Sequence, residues 1–154
     1  MPADQIAPRG CTNYKLRQLL RGVSRLYDAE IAHAGLKGTQ YSLLSNLAVS
    51  GPVAPGTLAR HMGMDASTLT RNVRLLIDQG WVKQGPGADT RSRSLTLTAA
   101  GLAKQAEAKT HWKRAQLALN ERLGVDQVAA LHALIDGALT RLAPTDGSDE
   151  ERRP

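Results

Sequence analysis

From Thr12 to about Ala34, the residues Leu16, Leu19, Leu20, Val23, Leu26, Tyr27 and Ile31 recur at the spacing of one helical face, and Gly35 supplies a stop. The pattern predicts a long amphipathic first helix. A shorter helix starts at Thr39, carries Tyr41, Leu43, Leu44 and Leu47, and is ended by Gly51-Pro52. Pro55 suits the first turn of a third helix, because its φ is already helical and its missing donor is not needed there. That helix runs to Met62, before Gly63. Asp65 caps a fourth helix by accepting from unpaired first-turn amides, and Gly80 closes it. Beyond Gly80 the texture changes to Trp81-Val82-Lys83-Gln84, a Gly- and Pro-rich stretch through Asp89 and Arg91, and an alternating run from Arg93 to Thr98. This predicts a β-hairpin with a long basic tip. Thr98 caps a fifth helix to about Arg122, and a sixth covers Asp126 to Leu142.

A length of 154 residues leaves room for one domain and no second full one. The apolar content of 42% comes mostly from Ala, Leu and Val with no Phe, which reinforces the helical reading. The expected fold class is therefore mainly α with a small β-hairpin. Residues 1–10 and 143–154 are poor in large hydrophobes and read as disordered. The tail holds four acids against two arginines, so the body between the ends is more basic than the net charge of +6 implies. Such a surface suits an anionic partner such as nucleic acid, although many basic proteins bind nothing.

No apolar run approaches the roughly 18 residues of a membrane span, and the first residues lack the layout of a signal peptide, so a cytoplasmic protein is expected. One cysteine cannot build a disulfide framework, and His33, His61, His111 and His132 lie far apart, so neither a metal site nor a cofactor is expected. The chain has no phosphate-binding glycine loop and no paired-His helix, and it is read as not an enzyme.

Function is carried by the middle of the chain. Ala59, Gly63 and Leu69 hold the spacing of a helix-turn-helix: a small residue where two helices cross, a glycine at the turn, and an apolar anchor under the second helix. On that second helix Leu69, Val73 and Leu76 share one side, while Ser67, Arg71, Arg74 and Asp78 line the other. From an exposed face, long cations reach base edges or phosphates, and Ser67 and Thr68 lie near first-turn amides that favour phosphate. The ordinary alternative is a solvated polar face. The hairpin favours the first reading, because Arg91 and Arg93 on a protruding loop can enter a minor groove or grip phosphates. Asp89 either orients those arginines by a charge-assisted hydrogen bond or serves as a plain turn residue.

These segments together resemble the multiple antibiotic resistance regulator (MarR) family of winged helix-turn-helix transcription factors, over roughly residues 12–142. The resemblance is carried by Gly35-Leu36 with Thr39-Gln40-Tyr41-Ser42-Leu43-Leu44, by Leu58-Ala59-Arg60-His61-Met62-Gly63, and by Asp65-Ala66-Ser67-Thr68-Leu69-Thr70-Arg71. Gly80-Trp81-Val82 and Asp89-Thr90-Arg91-Ser92-Arg93 leading to Leu97-Thr98-Ala99-Ala100-Gly101 complete it. It implies one domain over 11–142, with a winged helix-turn-helix at about 36–98 and dimerisation helices at about 11–34 and 99–142. It further implies that Ser67, Thr68, Thr70, Arg71 and Arg74 contact the major groove and Arg91 the minor groove, with Asp89 and Arg93 shaping the wing.

Val128, Leu131, Ile135, Ala138 and Leu142 repeat at coiled-coil spacing along the last helix, and such a seam needs a partner helix. The resemblance makes that partner a second copy, because family members dimerise through their first, fifth and sixth helices on near-palindromic double-stranded DNA. It also implies a cleft for small aromatic or phenolic effectors. The candidates are Tyr14, Arg17, Arg21, Tyr41 and Trp112, which pair aromatic faces with cations able to hold a carboxylate, although the aromatics read equally as core and the arginines as a solvated row. Cys11 invites a redox reading by the same resemblance, two residues before the position, here Asn13, that peroxide-sensing relatives use. The expectation is a homodimeric DNA-binding regulator, a repressor released by an aromatic ligand. The alternatives are redox control through Cys11 and a winged-helix module for protein contacts.

Overall fold

A computed structural model describes residues 9–144. The order is α1 (Thr12–Ile31), a 3-10 turn (Ala32–Ala34), α2 (Gly38–Ser50), α3 (Pro55–His61), α4 (Ala66–Asp78), β1 (Val82–Pro86), β2 (Arg93–Leu97), α5 (Ala99–Leu123) and α6 (Val125–Leu142). The fold is mainly helical with a small β wing. The expectations for the ends fall mostly on residues 1–8 and 145–154, which lie outside the described residues. No described helix is long and apolar enough to cross a membrane.

Each boundary has a local cause. The first helix stops three residues short of the expected Ala34, where the chain tightens into the 3-10 turn and Gly35 takes φ 73°. Pro55 starts α3 as expected, and Asp65 caps α4 by accepting the Thr68 amide at 2.8 Å. At the turn between them Gly63 takes φ 60°, a left-handed conformation that a side chain would strain, and the Met64 amide donates back to the Ala59 carbonyl at 2.9 Å. Thr98 caps α5: its Oγ1 accepts the Gly101 amide at 3.0 Å and donates to the Gly80 carbonyl at 2.6 Å. One side chain thus ties the end of α4 to the start of α5.

The chain packs as two compact units that divide between Gln116 and Leu117, within α5. In the first, Ile31, Leu43, Leu44, Leu58, Leu69, Leu76 and Leu95 form one core, with Tyr41, Val53, Val73 and Val82 around them. β1 and β2 pair antiparallel in the register Val82–Leu97 to Pro86–Arg93, which puts Val82, Leu95 and Leu97 on the core side. Val53 adds an isolated bridge to Leu95, with hydrogen bonds of 3.1 and 2.8 Å, that the pattern of hydrophobic positions did not suggest. The core-facing edge of the hairpin is thereby covered by the link between α2 and α3. In the second unit, Gly124 at φ 87° separates the end of α5 from α6. Val128 is its buried residue on α6, and Leu131 is half-buried.

Candidate nucleic-acid interface and effector cleft

The amphipathic division of α4 follows the sequence pattern. Leu69, Val73 and Leu76 are buried, whereas Ser67, Thr70, Arg71, Arg74 and Asp78 are exposed and Thr68 is half-buried. The chemistry of the helix start differs from the expectation of free amides. Asp65 takes the Thr68 amide and also accepts from the Ser67 hydroxyl at 2.7 Å and the Thr68 hydroxyl at 2.8 Å. The Ser67 hydroxyl, then the Thr68 amide and hydroxyl, hold the Asp65 carboxyl well below the usual carboxylate range. A negative charge therefore occupies the end of α4 where a phosphate was expected. Ser67 and Thr68 keep lone pairs that can accept from a base amino group, and donation falls to Arg71 and Arg74. Thr70 gives its hydroxyl to the Ala66 carbonyl at 2.8 Å and is likewise left as an acceptor.

The wing tip is built around Asp89. Its Oδ1 accepts the amides of Arg91 at 2.8 Å and Ser92 at 2.7 Å, and the Asp89 amide donates to the Ser92 hydroxyl at 3.1 Å. These amides, Arg91 first, lower the Asp89 carboxyl pKa. Of the two roles open to Asp89, the geometry shows the turn residue, because no ion pair joins it to Arg91 or Arg93. Gly87 is required at the mouth of this loop, since a Cβ there would lie 2.2 Å from the Ser92 hydroxyl and 2.7 Å from the Ser92 backbone. The result is a rigid tip that leaves Arg91 and Arg93 exposed. Among the described residues, none of Arg71, Arg74, Arg91 and Arg93 is held in an ion pair.

A cleft of about 550 Å³ opens within the first unit, between the second half of α1, the start of α2, the end of α3 and α5. Tyr41 and Trp112 line it, as do Val23, Ser24, Tyr27, Asp28, Ile31, Met62 and Met64. Tyr14, Arg17 and Arg21 do not. Tyr14 lies exposed, accepting from the Gln18 amide nitrogen at 3.3 Å, Arg17 donates to Asn13 at 3.2 Å, and Arg21 is exposed. Tyr27 and Asp28 were missed by sequence reasoning because Tyr27 falls on the apolar stripe and reads as core. Its hydroxyl donates to Gln116 at 2.5 Å, and burial raises its pKa.

Cys11 is exposed at the start of α1. The fold brings His33 and His111 together, with ring centroids 5.6 Å apart and Glu30 3.9 Å from the buried, unpartnered His111 Nδ1. No cluster of three or more potential ligands able to hold a metal ion occurs among the described residues.

A family model described as MarR family matches residues 34–92, from the end of the 3-10 turn through α2, α3 and α4 to the wing. An uncharacterized helix-turn-helix-type transcriptional regulator of Bacillus subtilis, YwoH, is 28% identical over 96 residues. That match covers 62% of this chain and 66% of YwoH, just under two thirds of its length. Among solved structures, the transcriptional repressor CouR bound to a 23-mer DNA duplex superposes with a TM-score of 0.78 at 25% identity, covering 83% of this chain and 92% of that one. The M. tuberculosis transcriptional regulator MosR in complex with DNA gives 0.68 at 28% identity, covering 84% and 98%.

Proposed function

We propose that this chain, whose residues 34–92 match a MarR family model, is a homodimeric winged helix-turn-helix repressor of near-palindromic operators, released by a small aromatic or phenolic ligand. On this reading it is a DNA-binding transcription regulator and not an enzyme. The observation that carries the reading is the set of four exposed, unpaired arginines on α4 and the rigid wing. In a duplex complex, Arg71 and Arg74 read base edges in the major groove, with Ser67, Thr68 and Thr70 accepting beside them. Arg91 enters the adjacent minor groove, and Asp89 and Arg93 shape the wing that carries it.

Dimerisation is supported by apolar side chains left open on the terminal helices. On α6, Val125, Leu134, Leu139 and Leu142 are 66%, 73%, 64% and 81% exposed, and on α1 Leu16 and Leu20 are 53% and 64% exposed. Such surface is costly in water and marks a contact site. The expected seam on α6 is redistributed within it, with Val128 turned inward and Ile135, Ala138 and Leu142 open. Effector control is supported by the cleft, which has the size and apolar lining of a small-molecule site. A ligand that binds the DNA-incompetent conformer preferentially, with about 1–3 kcal/mol of coupling, weakens operator affinity about 5- to 150-fold.

The test begins with genome-wide footprinting to find an operator, followed by titrations in excess nonspecific DNA. Wild type should retain specific binding, and Arg71→Ala should lose about 1–3 kcal/mol if the guanidinium reads a base. Unchanged affinity in both Arg71→Ala and Arg91→Ala would refute the assignment.

A further inference from the structure

Asp28 is the one charged side chain among the described residues that line the cleft. Its Oδ1 accepts the Gly38 amide at 3.1 Å, which fixes the carboxylate on the wall. Glycine at 38 permits that approach, since a Cβ there would lie 2.6 Å from the same oxygen. No hydrogen bond or ion pair occupies the other oxygen. Arg17 and Arg21 do not line the cleft, and Lys37 lines an adjoining hollow that shares Asp28, Gly38 and Thr39 with it but makes no ion pair with Asp28. Tyr27, Tyr41, Trp112, Met62 and Met64 make much of the remaining wall aromatic and soft, with the hydroxyls of Ser24, Thr39 and Ser42 among them.

An aromatic carboxylate in this space would lose hydration with only hydroxyls and no cation on the lining to replace it, and would face Asp28. An aromatic ammonium meets the reverse: a carboxylate for its charge, ring faces whose negative quadrupole attracts cations, and thioethers that adapt to an aromatic body. We propose that the cleft takes a small aromatic amine or related aromatic organic cation and rejects aromatic carboxylates, with Asp28 determining that specificity. The proposal rests on reading the cleft as the effector site.

The test is calorimetric titration of the full chain at pH 7 with three probes of one shape: 2-naphthylmethylammonium, 2-naphthalenemethanol and 2-naphthoate. The ammonium should bind about tenfold tighter than the carboxylate, the combined size of one exposed ion pair and one cation–π contact. Asp28→Asn keeps an oxygen for the Gly38 amide, and should cut that advantage to the few-fold that the cation–π contact alone supplies while binding of the alcohol, which reports an intact cleft, stays unchanged. Equal or tighter binding of 2-naphthoate by wild type overturns the proposal, as does an ammonium affinity that Asp28→Asn leaves unmoved. Operator affinity measured with each probe separates the two levels. Selective ammonium binding without DNA release supports the specificity and refutes the effector role, whereas binding of none of the three refutes both.

Discussion

Helix propensity alone makes Gly101→Ala stabilising by about 1 kcal/mol, because Gly101 is the third residue of α5 and glycine is a poor helix former. The fold reverses the sign. A Cβ built on Gly101 lies 2.0 Å from the Trp81 carbonyl oxygen and 2.9 Å from its carbon, and no flexible side chain is available to move aside. Restoring even a tight contact near 3.0 Å requires the start of α5 and the start of the wing to part by about 1 Å. The hydrogen bond from the Thr98 amide to that same carbonyl is 3.0 Å long, so this displacement breaks it. The Thr98 hydroxyl bond to Gly80 is strained by the same movement. Overpacking costs about 1–3 kcal/mol and a lost hydrogen bond about 0.5–1.5, against the propensity gain of about 1. The net loss is about 1–3 kcal/mol, which lowers the melting temperature by about 3–10 °C for a chain of this size. Gly56→Ala is the matched control, because in α3 a Cβ meets only the Arg60 guanidinium at 3.9 Å. It should stabilise by up to about 1 kcal/mol. Thermal unfolding of both variants decides the matter: a Gly101→Ala protein as stable as wild type, beside a control that behaves as expected, would refute the close-approach argument.

Four further outcomes follow from the same geometry. Arg91→Ala should reduce the slope of log affinity against log salt by about 0.9 if its guanidinium neutralises one phosphate, measured by titration at several salt concentrations. Thr98→Val should cost about 0.5–2 kcal/mol in chemical denaturation, because it removes the cap of α5 and the tie to Gly80. Asp65 and Asp89 both titrate below their ordinary range in the fold, so their contribution to stability is complete above the unfolded value of about 3.9 and drains as pH falls through and below it. Asp65→Asn and Asp89→Asn should therefore flatten the acid limb of stability against pH, and an unchanged limb would show that these hydrogen bonds do not persist in solution. Removing residues 125–142 should abolish the proposed dimer in sedimentation, whereas removing 143–154 should leave it intact.

The helices and the wing were legible because their signals are local. Pro55, Asp65 and Gly63 each act within a turn of their own position, as does the Thr98 cap on Gly101, and the burial of Leu69, Val73 and Leu76 follows from a period that needs no knowledge of the rest of the fold. The bridge from Val53 to Leu95 was not legible, since it joins residues 42 apart and a single strand residue carries no alternation. The chemistry of Ser67 and Thr68 was half legible. Both lie where α4 begins, but the cap that predicts the helix also consumes the Thr68 amide that a phosphate would need, so one residue, Asp65, supports the fold and redirects the contact chemistry.

The same distinction explains why the expected cations are missing from the cleft. Periodicity on α1 establishes which residues share a face, but not which turn of that face the next element covers. Here the chain reverses through the 3-10 turn and Gly35, so α2 packs beside the C-terminal half of α1. Arg21 then lies two residues and Arg17 six residues before Val23, where the lining on α1 begins. Helix side chains lean toward the N-terminus, so Arg17 and Arg21 lean away from a cleft that α1 lines from Val23 onward. The reversal thus exchanges two basic residues for one acidic residue at the wall. In the proposed effector cleft, the charge on the wall is set by which part of α1 the next helix covers.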